Sequence, residues 1–105
     1  MKAIINGKRY NTETATEVAS WSNHASYSDF NHCEETLYRT PKGNWFTVGS
    51  GGPMSKYARS LGNNTRGGSS DVFTALTANE ARAWLESNQE TAALEEHFAD
   101  TIDDA

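Results

Sequence analysis

A chain of 105 residues, with 14 acidic residues against nine lysines and arginines and a formal net charge of −5, is long enough for one modest core and too short for two. Eleven aromatics (three Trp, four Tyr, four Phe) argue against disorder despite a hydrophobic content of 36%. No apolar run approaches the roughly 20 residues of a membrane span, and a single cysteine, Cys33, excludes an internal disulfide framework.

The first seven residues, Met1 to Gly7, are too polar for a signal peptide. With the lone cysteine, this predicts a cytoplasmic domain. Ala3-Ile4-Ile5 and Lys8-Arg9-Tyr10 flank Asn6-Gly7, a pair suited to a two-residue hairpin turn. A helix is predicted next, over Asn11 to Trp21. Asn11 is its cap, Thr14 with Glu17 is an alternative capping box, and Ala15, Val18, Ala19 and Trp21 face the core. Ser22 to Cys33 lacks a period and reads as a loop or an irregular turn of helix.

Thr36 to Thr40 and Trp45 to Val48 predict a second hairpin around Pro41-Lys42-Gly43-Asn44, with proline setting the first corner. Gly49-Ser50-Gly51-Gly52 leads into a predicted short helix over Pro53 to Gly62. Met54, Tyr57, Ala58 and Leu61 form its apolar stripe, leaving Lys56 and Arg59 on the wet side. Asn63 to Ser70 reads as a loop and Val72 to Ala75 as a strand. Thr77-Ala78-Asn79-Glu80 is a capping box, with Leu76 and Ala81 as its hydrophobic staple. The helix it opens buries Ala81, Trp84 and Leu85. After a break near Ser87-Asn88-Gln89, a last helix places Leu94, Phe98 and Ile102 on one stripe. The sum is a single α+β domain over 1–105. Its antiparallel sheet of three to five strands packs against helices, and the acidic helices occupy about 78–104.

Charge is unevenly spread. Residues 80–105 hold eight acids and one base, a net −7, whereas residues 1–79 hold six acids and eight bases, a net +2. Such an end either keeps a small domain soluble or imitates the spaced negative charge of nucleic acid. Lys56, Arg59 and Arg66, with Lys8 and Arg9, form an alternative basic patch for nucleic acid, against which the acidic balance argues.

No catalytic group, metal site or cofactor is expected. The glycine run lacks the Gly-Lys-Ser/Thr ending of a P-loop and the spacing of a dinucleotide motif. His24, His32, Cys33 and His97 lack the paired spacing of zinc ligands, and Cys33 has no nucleophile signature. Glu34-Glu35 and Glu95-Glu96 are neighbouring pairs, which a solvated face explains. Trp21, Trp45 and Trp84 read as core corners. A ligand pocket using the glycine turn would need His24, His32 or Asp29 in its wall.

Taken together, the runs Asn6 to Ala15, Cys33 to Arg39, Lys42 to Phe46, Gly49 to Ala58 and Leu76 to Trp84 resemble small acidic proteins of phages, plasmids and other bacterial mobile elements. Some of these are anti-CRISPR inhibitors of type II effector nucleases. The resemblance implies a non-enzymatic protein that binds a CRISPR effector or its ribonucleoprotein and blocks DNA binding or cleavage. Effectors of this kind hold nucleic acid in positively charged channels, so the acidic end supplies a candidate surface: Glu86, Glu90, Glu95, Glu96, Asp100 and Asp103. An exposed helix stripe would equally support a homodimer.

Overall fold

In the computed structural model, which describes residues 1–26, 28–63 and 65–105, the Asn6-Gly7 turn closes as its composition requires. Both residues sit at positive φ, 51° and 78°, which lets a two-residue loop follow the twist of its strands. The turn joins β1 (Lys2–Ile5) to β2 (Lys8–Asn11). Tyr10 is the buried side chain of this hairpin, and its ring meets Phe46 edge-on at 5.3 Å.

Phe46 belongs to an antiparallel sheet of four strands in the order β3 (Thr16–Ser22), β4 (Cys33–Arg39), β5 (Trp45–Gly51) and β8 (Ser69–Leu76). The predicted hairpin around Pro41-Lys42-Gly43-Asn44 is the β4–β5 connection, with Arg39 opposite Trp45. Alternation along the strands sorts the apolar side chains onto two faces. Leu37, Trp45 and Leu76 point to one side, where α1 (Ala78–Ser87) and α2 (Thr91–Phe98) close over them through Ala81, Leu85 and Ala93. On the other side Phe46 stacks between Tyr38 (5.1 Å) and Phe73 (5.7 Å), beneath the N-terminal hairpin. Phe46, Leu37 and Leu85 are fully buried, each worth about 1.5–3 kcal/mol. The chain is thus an α+β protein: among the described residues, a four-stranded antiparallel sheet, two further two-stranded ribbons and two α-helices. Among the described residues, no helix is long and apolar enough to cross a membrane.

The capping box opens α1. Thr77 Oγ1 accepts the Glu80 N–H at 3.1 Å, and Glu80 Oε1 accepts the Thr77 N–H at 2.9 Å. The last helix is shorter than expected: α2 ends at Phe98, a 3-10 turn covers Ala99–Thr101, and Ile102 is extended and exposed. Phe98 earns its place by stacking on Trp45 at 5.2 Å, contact that Ile102 lacks.

Two predicted helices are strands or turns. Asn11 caps only a turn, its Oδ1 accepting the Glu13 N–H at 2.9 Å. Thr16–Ser22 then forms β3 on the sheet's edge. A register shift between Glu17 and Ala19 lets the adjacent Val18 and Ala19 both reach the helix-side core. A regular strand would aim neighbours to opposite faces, so the bulge makes the apolar spacing look helical.

Likewise Pro53 to Gly62 forms turns followed by β6 (Arg59–Gly62), which pairs with β7 (Thr65–Gly67). β7 and the start of β8 lie in the stretch read as a loop; Asn64, in that same stretch, is outside the described residues, as is Tyr27 in the Ser22 to Cys33 loop. Of the expected stripe, Tyr57 is buried whereas Met54 is 72% and Leu61 53% exposed. The cause lies on β5. Gly49 and Gly51 have no side chain, so Tyr57 lies flat over Gly49 and Ser55 over Gly51; a Cβ at either position would fall inside these side chains. The Met54 N–H then donates to the Phe30 carbonyl at 2.7 Å, and the Gly52 N–H to that of His32 at 2.8 Å.

Gly49→Ala is therefore expected to displace Tyr57 and lower stability by about 1–3 kcal/mol, measured as a reduced urea midpoint with an unchanged slope.

Candidate functional site

Glu35 is the group that sequence reasoning missed. Treated there as part of a solvated pair, it is 6% exposed, because odd-numbered residues of β4 face the helices. Its neighbour Glu34 points the other way and is half exposed. Three donors from two other segments converge on the Glu35 carboxylate. Lys56 Nζ lies 2.8 Å from Oε2, Tyr57 Oη donates to the same oxygen, and Trp84 Nε1 donates to Oε1 at 3.2 Å. Burial alone would push the Glu35 pKa up, but the hydrogen bonds from Lys56, Tyr57 and Trp84 outweigh it, and the carboxyl titrates below its ordinary range. The same neighbourhood raises Tyr57 far above a normal phenol, through burial and the Glu35 charge. It also raises the Cys33 thiol, through burial and then Glu35. A carboxylate held ionised by three donors is the opposite of a general base poised near neutrality, and a buried, protonated thiol is a poor nucleophile. This cluster is a clamp: it fastens the 53–58 loop and α1 to β4. One sequence signal for it was available, the two glycines of β5 at alternate positions, which clear a track on one face.

The acidic residues expected to bind a partner lie on α1 and α2, in the 3-10 turn and, for Asp103, in the tail beyond it. Glu95 and Glu96 are exposed on α2, Asp100 is exposed in the 3-10 turn, and Asp103 is exposed beyond it. Glu90, at the N-cap of α2, is half-buried. Glu86 on α1 is exposed but paired with Arg82 at 3.0 Å, and Arg82 also donates to the Thr101 carbonyl at 3.2 Å. Among the described residues, Glu86 is the only member of this set within ion-pair distance of a lysine or arginine; Glu96 approaches His97 at 3.9 Å.

The alternative basic set is dispersed. Lys56 is engaged by Glu35, Arg59 Nε donates to the Gly68 carbonyl at 3.0 Å, and Arg66 sits exposed on β7. Lys8 and Arg9 are on β2, in a separate sheet. His24, His32 and Asp29 are not brought together either. His24 lines a hollow of about 460 Å³ with Ser20, Glu34, Thr36, Ser50 and Asp71, whereas His32 lines a smaller one of about 200 Å³ beside Gly51, Gly52 and Gly68. Asp29 accepts the Asn31 N–H at 3.1 Å. His97 accepts a hydrogen bond from Arg39 Nη1 at 3.3 Å, and that guanidinium lies over the Trp45 ring. Among the described residues, no three His, Cys, Asp or Glu side chains are grouped to hold a metal ion.

An acid whose folded pKa is depressed holds its stabilising effect above the unfolded value, near 4.5, and loses it as pH falls through the folded value. Stability is expected to decline as pH drops below about 4.5. Glu35→Gln should remove the part of that decline owed to Glu35, and should cost about 1–3 kcal/mol at neutral pH. Urea midpoints measured from neutral pH into the acid range give both quantities.

No family model, curated protein or solved structure matches this chain.

Proposed function

We propose that the protein is a non-enzymatic inhibitor of the anti-CRISPR kind, presenting the carboxylates of its helical layer to the basic groove of a CRISPR effector, most readily of type II. Bound there, it would block DNA binding or cleavage in the cytoplasm of a bacterial host. The observation that carries this reading is the state of the acids: Glu95, Glu96, Asp100 and Asp103 are exposed and, among the described residues, without a lysine or arginine partner. Both helices cover one face of a sheet whose other face holds the N-terminal hairpin, and Glu95 and Glu96 are carried by that helical layer. A one-sided negative field speeds encounter with a positive channel and weakens with salt.

The rival reading, nucleic-acid binding through Lys56, Arg59 and Arg66, draws less support, since Lys56 is held by Glu35.

A cleavage assay with purified type II effector, guide and target DNA tests the proposal. The wild-type protein should inhibit. Reversing Glu95, Glu96, Asp100 and Asp103 together to lysine should raise the inhibitory concentration about tenfold or more, with the circular dichroism spectrum unchanged. Glu86 and Glu90 are left intact because their loss would disturb the Arg82 contact and the start of α2. Equal potency of the reversed variant would overturn the mimicry.

A further inference from the structure

The side of the sheet away from the helices carries a feature that the acidic reading does not use. The N-terminal hairpin and the β4–β5 turn lean together and enclose a cleft of about 620 Å³, within the range of small-ligand sites. One wall is Lys8 and Arg9, which follow the Asn6-Gly7 turn and are fixed in place by Tyr10 packing on Phe46. The other wall is Lys42, carried by a turn in which the Gly43 N–H donates to the Thr40 carbonyl at 2.8 Å and the Asn44 N–H to Thr40 Oγ1 at 3.0 Å. Neutral hydrogen-bonding side chains complete the lining: Asn11, Thr14, Thr40 and Asn44.

The charge of this cleft runs against the whole chain. The protein has 14 acids, yet among the described residues no Asp or Glu lines the cleft. Lys8, Arg9 and Lys42 are exposed, and among the described residues none of them has a carboxylate within 4.0 Å. Of the nearest acids along the chain, Glu13 lines a different hollow, with Met1, Lys2 and Asn11, and Glu17 lies near the Tyr38 phenol, whose pKa is raised by burial and then by the Glu17 charge. Three cations line one cleft, with amide and hydroxyl groups among them; such a lining suits a compact, multiply charged anion, and the guanidinium adds paired donors for tetrahedral oxyanions.

We infer that the cleft between the N-terminal hairpin and the β4–β5 turn binds a phosphate-bearing ligand through Lys8, Arg9 and Lys42. The phosphate can come from a small phosphorylated molecule or from the backbone of a nucleic-acid strand; the recognising chemistry is the same. This site is distinct from the acidic helical layer and does not depend on the role proposed for it.

Titrating the full-length, isotope-labelled chain with tripolyphosphate, followed by amide chemical shifts, tests the inference. Saturable shifts are expected at residues 7–11 and 40–44. The triple variant Lys8→Gln, Arg9→Gln, Lys42→Gln should fold normally, since all three side chains are exposed, and should bind at least about tenfold more weakly. Arg66→Gln, on β7, should bind as the wild type does. A parallel titration with a short single-stranded oligonucleotide identifies the source: tighter binding of the strand assigns nucleic acid, and binding of tripolyphosphate alone assigns a small phosphorylated ligand. Absence of saturable shifts at millimolar tripolyphosphate would overturn the inference. So would equal weakening by Arg66→Gln, which would mark diffuse attraction.

Discussion

The Glu35 carboxylate is the point on which the arrangement turns. Taking a carboxylate out of water costs several kcal/mol unless donors replace its hydration. Here the donors come from two segments far from β4 in sequence: Lys56 and Tyr57 in the 53–58 loop, and Trp84 on α1. Each of these conditions requires another. Tyr57 reaches Glu35 only because Gly49 leaves room for its ring, and Trp84 reaches it only because the Thr77 cap starts α1 in the right register. A charge buried on β4 therefore decides how the chain between β5 and β8 is routed.

The sheet then acts as a partition. On one side lie the helices, which carry Glu86, Glu95 and Glu96; on the other lies the first hairpin, with Lys8 and Arg9 on β2. Net charge alone, −5 for the chain, hides this division, because opposite signs cancel in the sum while remaining apart in space. A partner that approaches from the helical side meets a different molecule from one that approaches the hairpin.

Local chemistry was legible where it sufficed. Asn6-Gly7, Pro41 to Asn44 and the Thr77–Glu80 box each specify their own geometry within four residues, and each forms as read. The two misread helices failed for non-local reasons. Val18 and Ala19 share a face because of a bulge set by pairing with β4, and Tyr57 is held by a strand more than twenty residues away. The Glu35 clamp was invisible for the same cause: an acid followed by threonine and leucine reads as solvated until the alternation of β4 is fixed. The acidic surface was legible, since terminal helices with mixed stripes expose their charges, but the pairing of Glu86 with Arg82 and the half-burial of Glu90 emerge only from the fold. The cleft of Lys8, Arg9 and Lys42 joins two hairpins that no linear spacing relates.

The two ribbons that stand outside the main sheet are held very differently. The first presses Tyr10 into the aromatic stack, whereas β6 and β7 pair with one another and expose Arg59, Ser60, Leu61 and Gly62 to water. A lone two-stranded ribbon has little cohesion of its own. Its cohesion consequently comes from its two roots, Tyr57 on one side and Gly68 against Gly51 and Gly52 on the other, so amide exchange and protease nicking begin in the ribbon while the four-stranded sheet stays intact.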